Sequence, residues 1–251
     1  MIRKLNNTFR KDIEKLIIEK VKKVTKKDFD SLLNLQEQIG DEWFSLDEAN
    51  QTKIGSELYF LDEENQTYHK LLNDISEQLD MDFYFQKTVT IRAHPYYHNT
   101  TYWYHLDTNT FNQHPEQYNV FIPITTENVG FSLVSAWFTK LSLILTNNDI
   151  KKLDKRKFLT NYKWWRNICR WMGNDYNNLE DTLVWDSDKH LHTALPRNNT
   201  NRFSLDFRLL PIDHDTNHNY ESISPHQRRV VEYKPGSFFS SKTIRELVKE
   251  S

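Results

Sequence analysis

The chain has 251 residues, long enough for one well-developed core with elaborations and short for two. Its 33 Lys and Arg against 35 Asp and Glu give a formal net charge of −2, which argues against a nucleic-acid partner held by counterion release, while 37% hydrophobic and 14% aromatic content excludes a disordered chain. The single cysteine, Cys169, excludes an internal disulfide framework and Cys-based structural zinc, and the five glycines spell no dinucleotide fingerprint, no P-loop and no G-x-S-x-G elbow.

The opening MIRKLNNTFRKDIEKL lacks the uninterrupted apolar run of a secretory leader, and nowhere do 18 apolar residues follow one another. The expected location is cytoplasmic, without membrane contact, and the sequons at Asn6, Asn65, Asn99 and Asn198 then read as incidental. Residues 8 to 25 read as a helix, with Phe9, Ile13, Leu16, Ile17, Val21 and Val24 at three- and four-residue steps. A second helix is expected from Asp28 to Ile39 and a third from Asn65 to Leu79. The first eighty residues thus form a helical support.

The texture changes at Met81. MDFYFQKTVTIRAHP, TTYWYHLD, YNVFIPITT and FSLVSAWF are short runs rich in β-branched and aromatic residues, parted by Asn, His, Pro and Gly. From Asn147 to Asn178 the pattern is helical again, with Trp164, Trp165 and Trp171, and the basic run Lys151, Lys152, Lys155, Arg156 and Lys157 reads as a solvated helix face, with a landing site for an anionic substrate as the alternative. Strands resume with DTLVWD and NRFSLDFRLLP, and SKTIRELVKE closes the chain as a short helix. One domain is expected: helical support over 1–80, a β core over 81–212 with a helical insertion at about 147–180, and a C-terminal extension over 213–251. This order suits a mainly β fold with a helical buttress, a double-sheet barrel or jelly roll.

Two segments carry chemistry. In Tyr104-His105-Leu106-Asp107, positions i and i+2 of a strand share a face, so an imidazole and a carboxylate point together. A second histidine from another strand would complete the two-His, one-carboxylate facial set of non-haem Fe(II) oxygenases. His-x-Asp alone is uninformative, since 10 His in 251 residues rich in Asp yield about one such pair by chance. The second segment adds weight. From Arg202 a strand alternates Arg202, Ser204, Asp206 and Arg208 on one face with Phe203, Leu205 and Phe207 on the other, ten residues after His192. An arginine on the inward face of a barrel needs a partner, and a ligand carboxylate taken bidentately is the natural one.

On His-x-Asp, the NVFIPIT strand, SLVSAW, VWD, His192 and NRFSLDFR, the sequence resembles the Fe(II)/2-oxoglutarate-dependent dioxygenase superfamily, in particular its phytanoyl-CoA-hydroxylase-like branch and the StrG-type oxygenases of streptomycin biosynthesis. The resemblance spans roughly residues 86 to 212. It implies a cupin-like double-stranded β-helix with Fe(II) on His105, Asp107 and His192, O2 at the remaining position, and 2-oxoglutarate as co-substrate with its far carboxylate on Arg202 and Ser204. His190 is an alternative distal ligand and Arg208 an alternative anchor; the 147–180 insertion matches nothing in the family pattern. A carboxylate at position 107 argues against halogenation, because halogenating relatives carry a small residue there. The expected activity is C–H oxidation of a small molecule, most simply hydroxylation. A protein or nucleic-acid residue as substrate and a metal-free jelly-roll binding module are the alternatives, and oligomeric state is open.

Other residues read more plainly. Asp213, His214, Asp215 and His218 have a metal-like composition on what reads as a solvated loop. His94, His98 and His114 flank the proposed iron strand as packing or rim residues, as do Tyr96, Tyr97, Tyr102 and Tyr104, while Trp103 shares the His105 face.

Overall fold

A computed structural model describes residues 1–33, 35–45, 52–58, 65–94, 104–107, 113–125, 131–146, 163–176, 178–194, 202–216, 220–223 and 230–250. Helix α1 (Arg10–Thr25) turns Ile13, Ile17 and Val21 into the core at four-residue spacing and ends at Lys26, whose left-handed backbone (φ 58°) lets its N–H reach the Lys22 carbonyl. The helix expected over Asp28–Ile39 is confined to α2 (Leu35–Ile39). Phe29 and Leu32 are buried without helical structure there, and the Ser31 hydroxyl accepts from the Leu33 N–H, a local bond that competes with helix formation. A short α3 (Lys53–Glu57) is capped by Thr52. Helix α4 (Gln66–Leu79) follows the sequence expectation, with Asn65 accepting from the Tyr68 N–H as N-cap and Tyr68, Leu71, Leu72 and Ile75 buried.

The strands are β1 (Ile2–Asn6), β2 (Phe83–Gln86), β3 (Thr90–His94), β4 (Tyr118–Pro123), β5 (Phe131–Val134), β6 (Gly173–Tyr176), β7 (Asp181–Asp186), β8 (His192–Ala194), β9 (Arg202–Pro211), β10 (Glu221–Ile223), β11 (Val230–Glu232) and β12 (Phe239–Thr243). A seven-stranded antiparallel sheet has the order β1-β7-β4-β9-β2-β12, with β3 also paired to β9. A smaller sheet has the order β6-β5-β8 and is extended by a bridge between His105 and His192; β10 and β11 form a separate hairpin. In chain order, β3 lies in the large sheet, residue 105 in the small one, β4 in the large, β5 and β6 in the small, β7 in the large, β8 in the small and β9 in the large.

Alternation along each strand sorts the interior. Val120, Ile122, Val184, Ile91, Phe203, Leu205 and Phe207 pack on one side of the large sheet with α1 and α4. The opposite faces contribute Phe121, Leu183 and Trp185, which meet Phe131 and Leu133 of the small sheet in a second cluster between the sheets. Helices α5 (Ala136–Leu145) and α6 (Lys163–Met172) cover the small sheet's outer side, where Tyr104, Leu106, Val134, Phe138, Trp165, Cys169 and Leu191 cluster. The last helix, α7 (Ile244–Glu250), packs against α4 and β2.

Other elements also depart from the sequence expectation. Strand β1 pairs with β7 where the periodicity gives only a lead into α1. FSLVSAWF is a strand only to Val134 and then a helix, whose four-residue spacing turns Phe138 and Ser142 inward and brings the Ser142 and Thr146 hydroxyls to the carbonyls one turn earlier, to which they donate (2.7 Å each). Within the stretch expected to be a helical insertion, Gly173–Tyr176 is a strand paired to β5. Glycine is needed there, since a Cβ on Gly173 would lie 2.4 Å from Ser132 Oγ and 2.8 Å from the Tyr104 hydroxyl. Residues 147–162 lie outside the described residues.

Candidate metal centre

His105 and His192 face each other across the antiparallel bridge, each backbone N–H donating to the other's carbonyl at 3.1 and 3.0 Å. In such a pair both side chains leave the sheet on the same side, and the ring centroids lie 4.3 Å apart. Asp107, two residues after His105, points the same way. Its Oδ1 lies 3.4 Å from His105 Nε2 and 3.4 Å from His192 Nε2. One donor atom from each of the three residues falls within 4.8 Å of the others, and this is the one such group of three among the described residues.

The donor set fits a divalent transition metal. Ligand atoms bound at about 2.1 Å to one ion lie roughly 3.0 to 3.4 Å apart for octahedral or tetrahedral angles. His192 Nδ1 donates to the His190 carbonyl (3.2 Å), which leaves the lone pair on Nε2, the atom facing Asp107. Burial pushes the His192 imidazole down from its usual value, helped by His105 and opposed by Asp107. Burial alone would push the Asp107 carboxyl up, but the Arg208 guanidinium and the two imidazoles outweigh it and hold the group well below the usual carboxylate range. A neutral imidazole and an ionised carboxylate are the ligand forms a metal needs. His105 is the most exposed of the three side chains (17%, against 5% and 4%).

Asp107 Oδ2 has different company: it accepts from Asn119 Nδ2 at 2.9 Å and from Arg208 Nη2 at 2.8 Å. Asn119 and Arg208 stand in register across β4 and β9. Around His192, Phe131 stacks at 5.5 Å and Trp185 meets the ring edge-on at 5.3 Å, with Phe121 stacked on Phe131 at 5.0 Å. The Arg202 guanidinium lies 5.8 Å from the Phe121 ring centre, and Arg202 is 2% exposed. Arg202 and Arg208 share a face of β9, six residues or about 20 Å of strand apart. Between them Ser204 Oγ is buried with no hydrogen-bond partner among the described residues, and Asp206 pairs with Arg92.

No protein-family profile matches the chain, and no curated protein sequence matches it. Among solved structures, a "Non-heme monooxygenase, ThoJ-Ni complex" is distantly similar. It shares 11% identity with a TM-score of 0.38, over 68% of this chain and 59% of the other, so the match takes in less than two thirds of that protein.

The structure thus brings His105, Asp107 and His192 together. His190 stays outside the group, its Nδ1 2.9 Å from the Val134 carbonyl. Arg208 is engaged with Asp107, while Arg202 and Ser204 lie toward the other end of β9. His114 is hydrogen-bonded at both ring nitrogens, to the Glu116 N–H and the Asp215 carbonyl, and His214 Nδ1 lies 2.8 Å from the Pro211 carbonyl. Tyr104 donates to Ser132 Oγ at 2.8 Å on the outer side of the small sheet. Trp103, Tyr96, Tyr97, Tyr102, His98, His218 and the basic run Lys151–157 lie outside the described residues, as does the His94 side chain. Asn119, Phe131 and Trp185 also belong to the site, though no motif in the sequence singles them out. For Asn119 the available signal was an amide within the apolar run YNVFIP, at a position that alternation turns inward.

Proposed function

We propose that the chain is a non-haem Fe(II)/2-oxoglutarate-dependent oxygenase that oxidises a C–H bond of a small molecule. The observation that carries the reading is the convergence of two imidazole Nε2 atoms and one carboxylate oxygen, the facial ligand set associated with Fe(II) oxygenases. The chain-order alternation of strands between the two sheets supports a double-stranded β-helix of the jelly-roll kind.

In this reading His105 Nε2, His192 Nε2 and Asp107 Oδ1 hold the metal. Arg202 and Ser204, on the inward face of β9, bind the far carboxylate of 2-oxoglutarate: a buried guanidinium, beside a buried hydroxyl with no hydrogen-bond partner among the described residues, suits that group. Fe(II) with 2-oxoglutarate supplies the O2-driven oxidation, in which one oxygen atom goes to the substrate and the other to succinate as CO2 is lost. Phe121, Phe131 and Trp185 wall the site beside His192 and keep water from the reacting groups. The small-molecule assignment rests on burial of Asp107 and His192.

Formation of succinate from 2-oxoglutarate under air tests the proposal. Fe(II)-dependent succinate is expected from the wild-type chain and not from Asp107→Ala; equal traces from both would refute the assignment.

A further inference from the structure

Asn119 and Arg208 are an opposed pair on β4 and β9, both strands of the large sheet, whereas Asp107 follows the strand residue His105 of the small sheet. Both donors reach one oxygen, Oδ2, at 2.9 and 2.8 Å, and the other oxygen, Oδ1, is left equidistant from the two imidazoles at 3.4 Å. A carboxylate oxygen has two lone-pair directions, so Oδ2 is filled by these contacts. For a metal to take Oδ2 it would have to displace a half-buried guanidinium and leave that charge without its partner. Arg208 is itself steadied, its Nη1 donating to the Phe207 carbonyl at 3.2 Å. Asn119 is 1% exposed, in the middle of a paired strand.

We infer that Asn119 and Arg208 are positioning residues that clamp Asp107 Oδ2, so that the carboxylate meets a metal through Oδ1 alone. This rests on the metal-binding part of the proposed function. The clamp ties one ligand, carried beside the small sheet, to the large sheet, and so fixes the distance between the sheets at the site. It also gives the two inward arginines of β9 separate duties, Arg208 serving the metal ligand and Arg202 the co-substrate.

The test is anaerobic titration with cobalt(II) alone, read by visible absorption, on wild type, Arg208→Gln, Arg208→Lys, Asn119→Ala and His105→Ala. Arg208→Gln is expected to weaken cobalt binding by about ten- to a hundredfold and to alter the ligand-field bands as Asp107 offers its second oxygen, with Arg208→Lys restoring part of the affinity. Asn119→Ala should do the same to a smaller extent, which covers the case of Arg208→Gln failing to fold. A second readout separates the clamp from a co-substrate anchor. At saturating metal, Arg208→Gln should leave the 2-oxoglutarate requirement near wild type, whereas Arg202→Gln should raise it. Wild-type cobalt affinity and spectrum in folded Arg208→Gln and Asn119→Ala would overturn the clamp while leaving the metal site standing. No cobalt binding by wild type, with His105→Ala indistinguishable from it, would overturn both.

Discussion

His105 and His192 are locked opposite each other by a pair of reciprocal backbone hydrogen bonds, 3.1 and 3.0 Å long, so the spacing of their imidazoles is set by the sheet and not by a loop. The same bridge excludes a register in which position 190 takes the place of position 192, because a shift of two residues would move His190 out of its bond to Val134 and break the pairing of β8 with β5.

That relationship separates the two candidate distal ligands experimentally. His192→Gln should abolish stoichiometric binding of a divalent transition metal, and His190→Gln should retain it within a few-fold, as measured by calorimetric titration. Loss of binding in folded His190→Gln with retention in His192→Gln would reverse the assignment.

Gly173 tests the small sheet's packing. A methyl group there meets Ser132 Oγ, the Tyr104 hydroxyl and the Cys169 carbonyl (3.1 Å), on three different segments of the chain. Gly173→Ala should destabilise the fold by about 1 to 3 kcal/mol in urea unfolding, the usual cost of overpacking a closed site. A change within about 0.5 kcal/mol, the range of ordinary surface substitutions, would mean the contact yields easily.

Much of this arrangement was legible in the sequence, and for physical reasons. His105 and Asp107 depend only on strand alternation, and the inward row Arg202, Ser204, Asp206 and Arg208 depends on the same rule, so local pattern sufficed. The strand–helix switch at Ser135 and strand β6 did not follow from local pattern, since each is decided by tertiary partners, Phe138 against Trp165 and Gly173 against Tyr104, while the second helix is cut short by a side-chain bond, Ser31 to the Leu33 N–H, that apolar periodicity does not register. Assigning Arg208 to Asp107 needed the register of β4 on β9, which alternation within one strand cannot supply.

Cys169, on α6, is fully buried in the cluster that α6 forms with α5 and the small sheet, and burial pushes its thiol up to about 12. At pH 8 only about one molecule in ten thousand then carries the thiolate, so the native chain should not react with a disulfide reagent until it unfolds. Because the folded thiol keeps a proton that the unfolded chain loses above about pH 8.5, this group contributes stability at lower pH that is lost as pH rises past that value. Rapid modification of the native thiol at pH 8 would contradict this placement.

His114 gives the opposite slope. Burial pushes it down, against the Asp215 carbonyl, which pulls it up, and its Nδ1 accepts from the Glu116 N–H only while unprotonated. The unfolded chain therefore takes up a proton before the folded one, and stability present above about pH 6.5 is lost as pH falls below it. His190 and His192 are also pushed down by burial and act in the same window. The midpoint of thermal unfolding should fall from pH 7.5 to pH 5.5, and His114→Gln should fall less steeply over that interval. An equal fall in the variant would assign the acid sensitivity elsewhere.

The most direct test of the whole account is anaerobic addition of Fe(II) and 2-oxoglutarate, watching for the weak visible charge-transfer absorption of the chelate, with Asp107→Ala and Arg202→Ala beside wild type. A band is expected in wild type, none in Asp107→Ala, and one in Arg202→Ala only at much higher 2-oxoglutarate. No band in wild type at saturating iron and 2-oxoglutarate would contradict it.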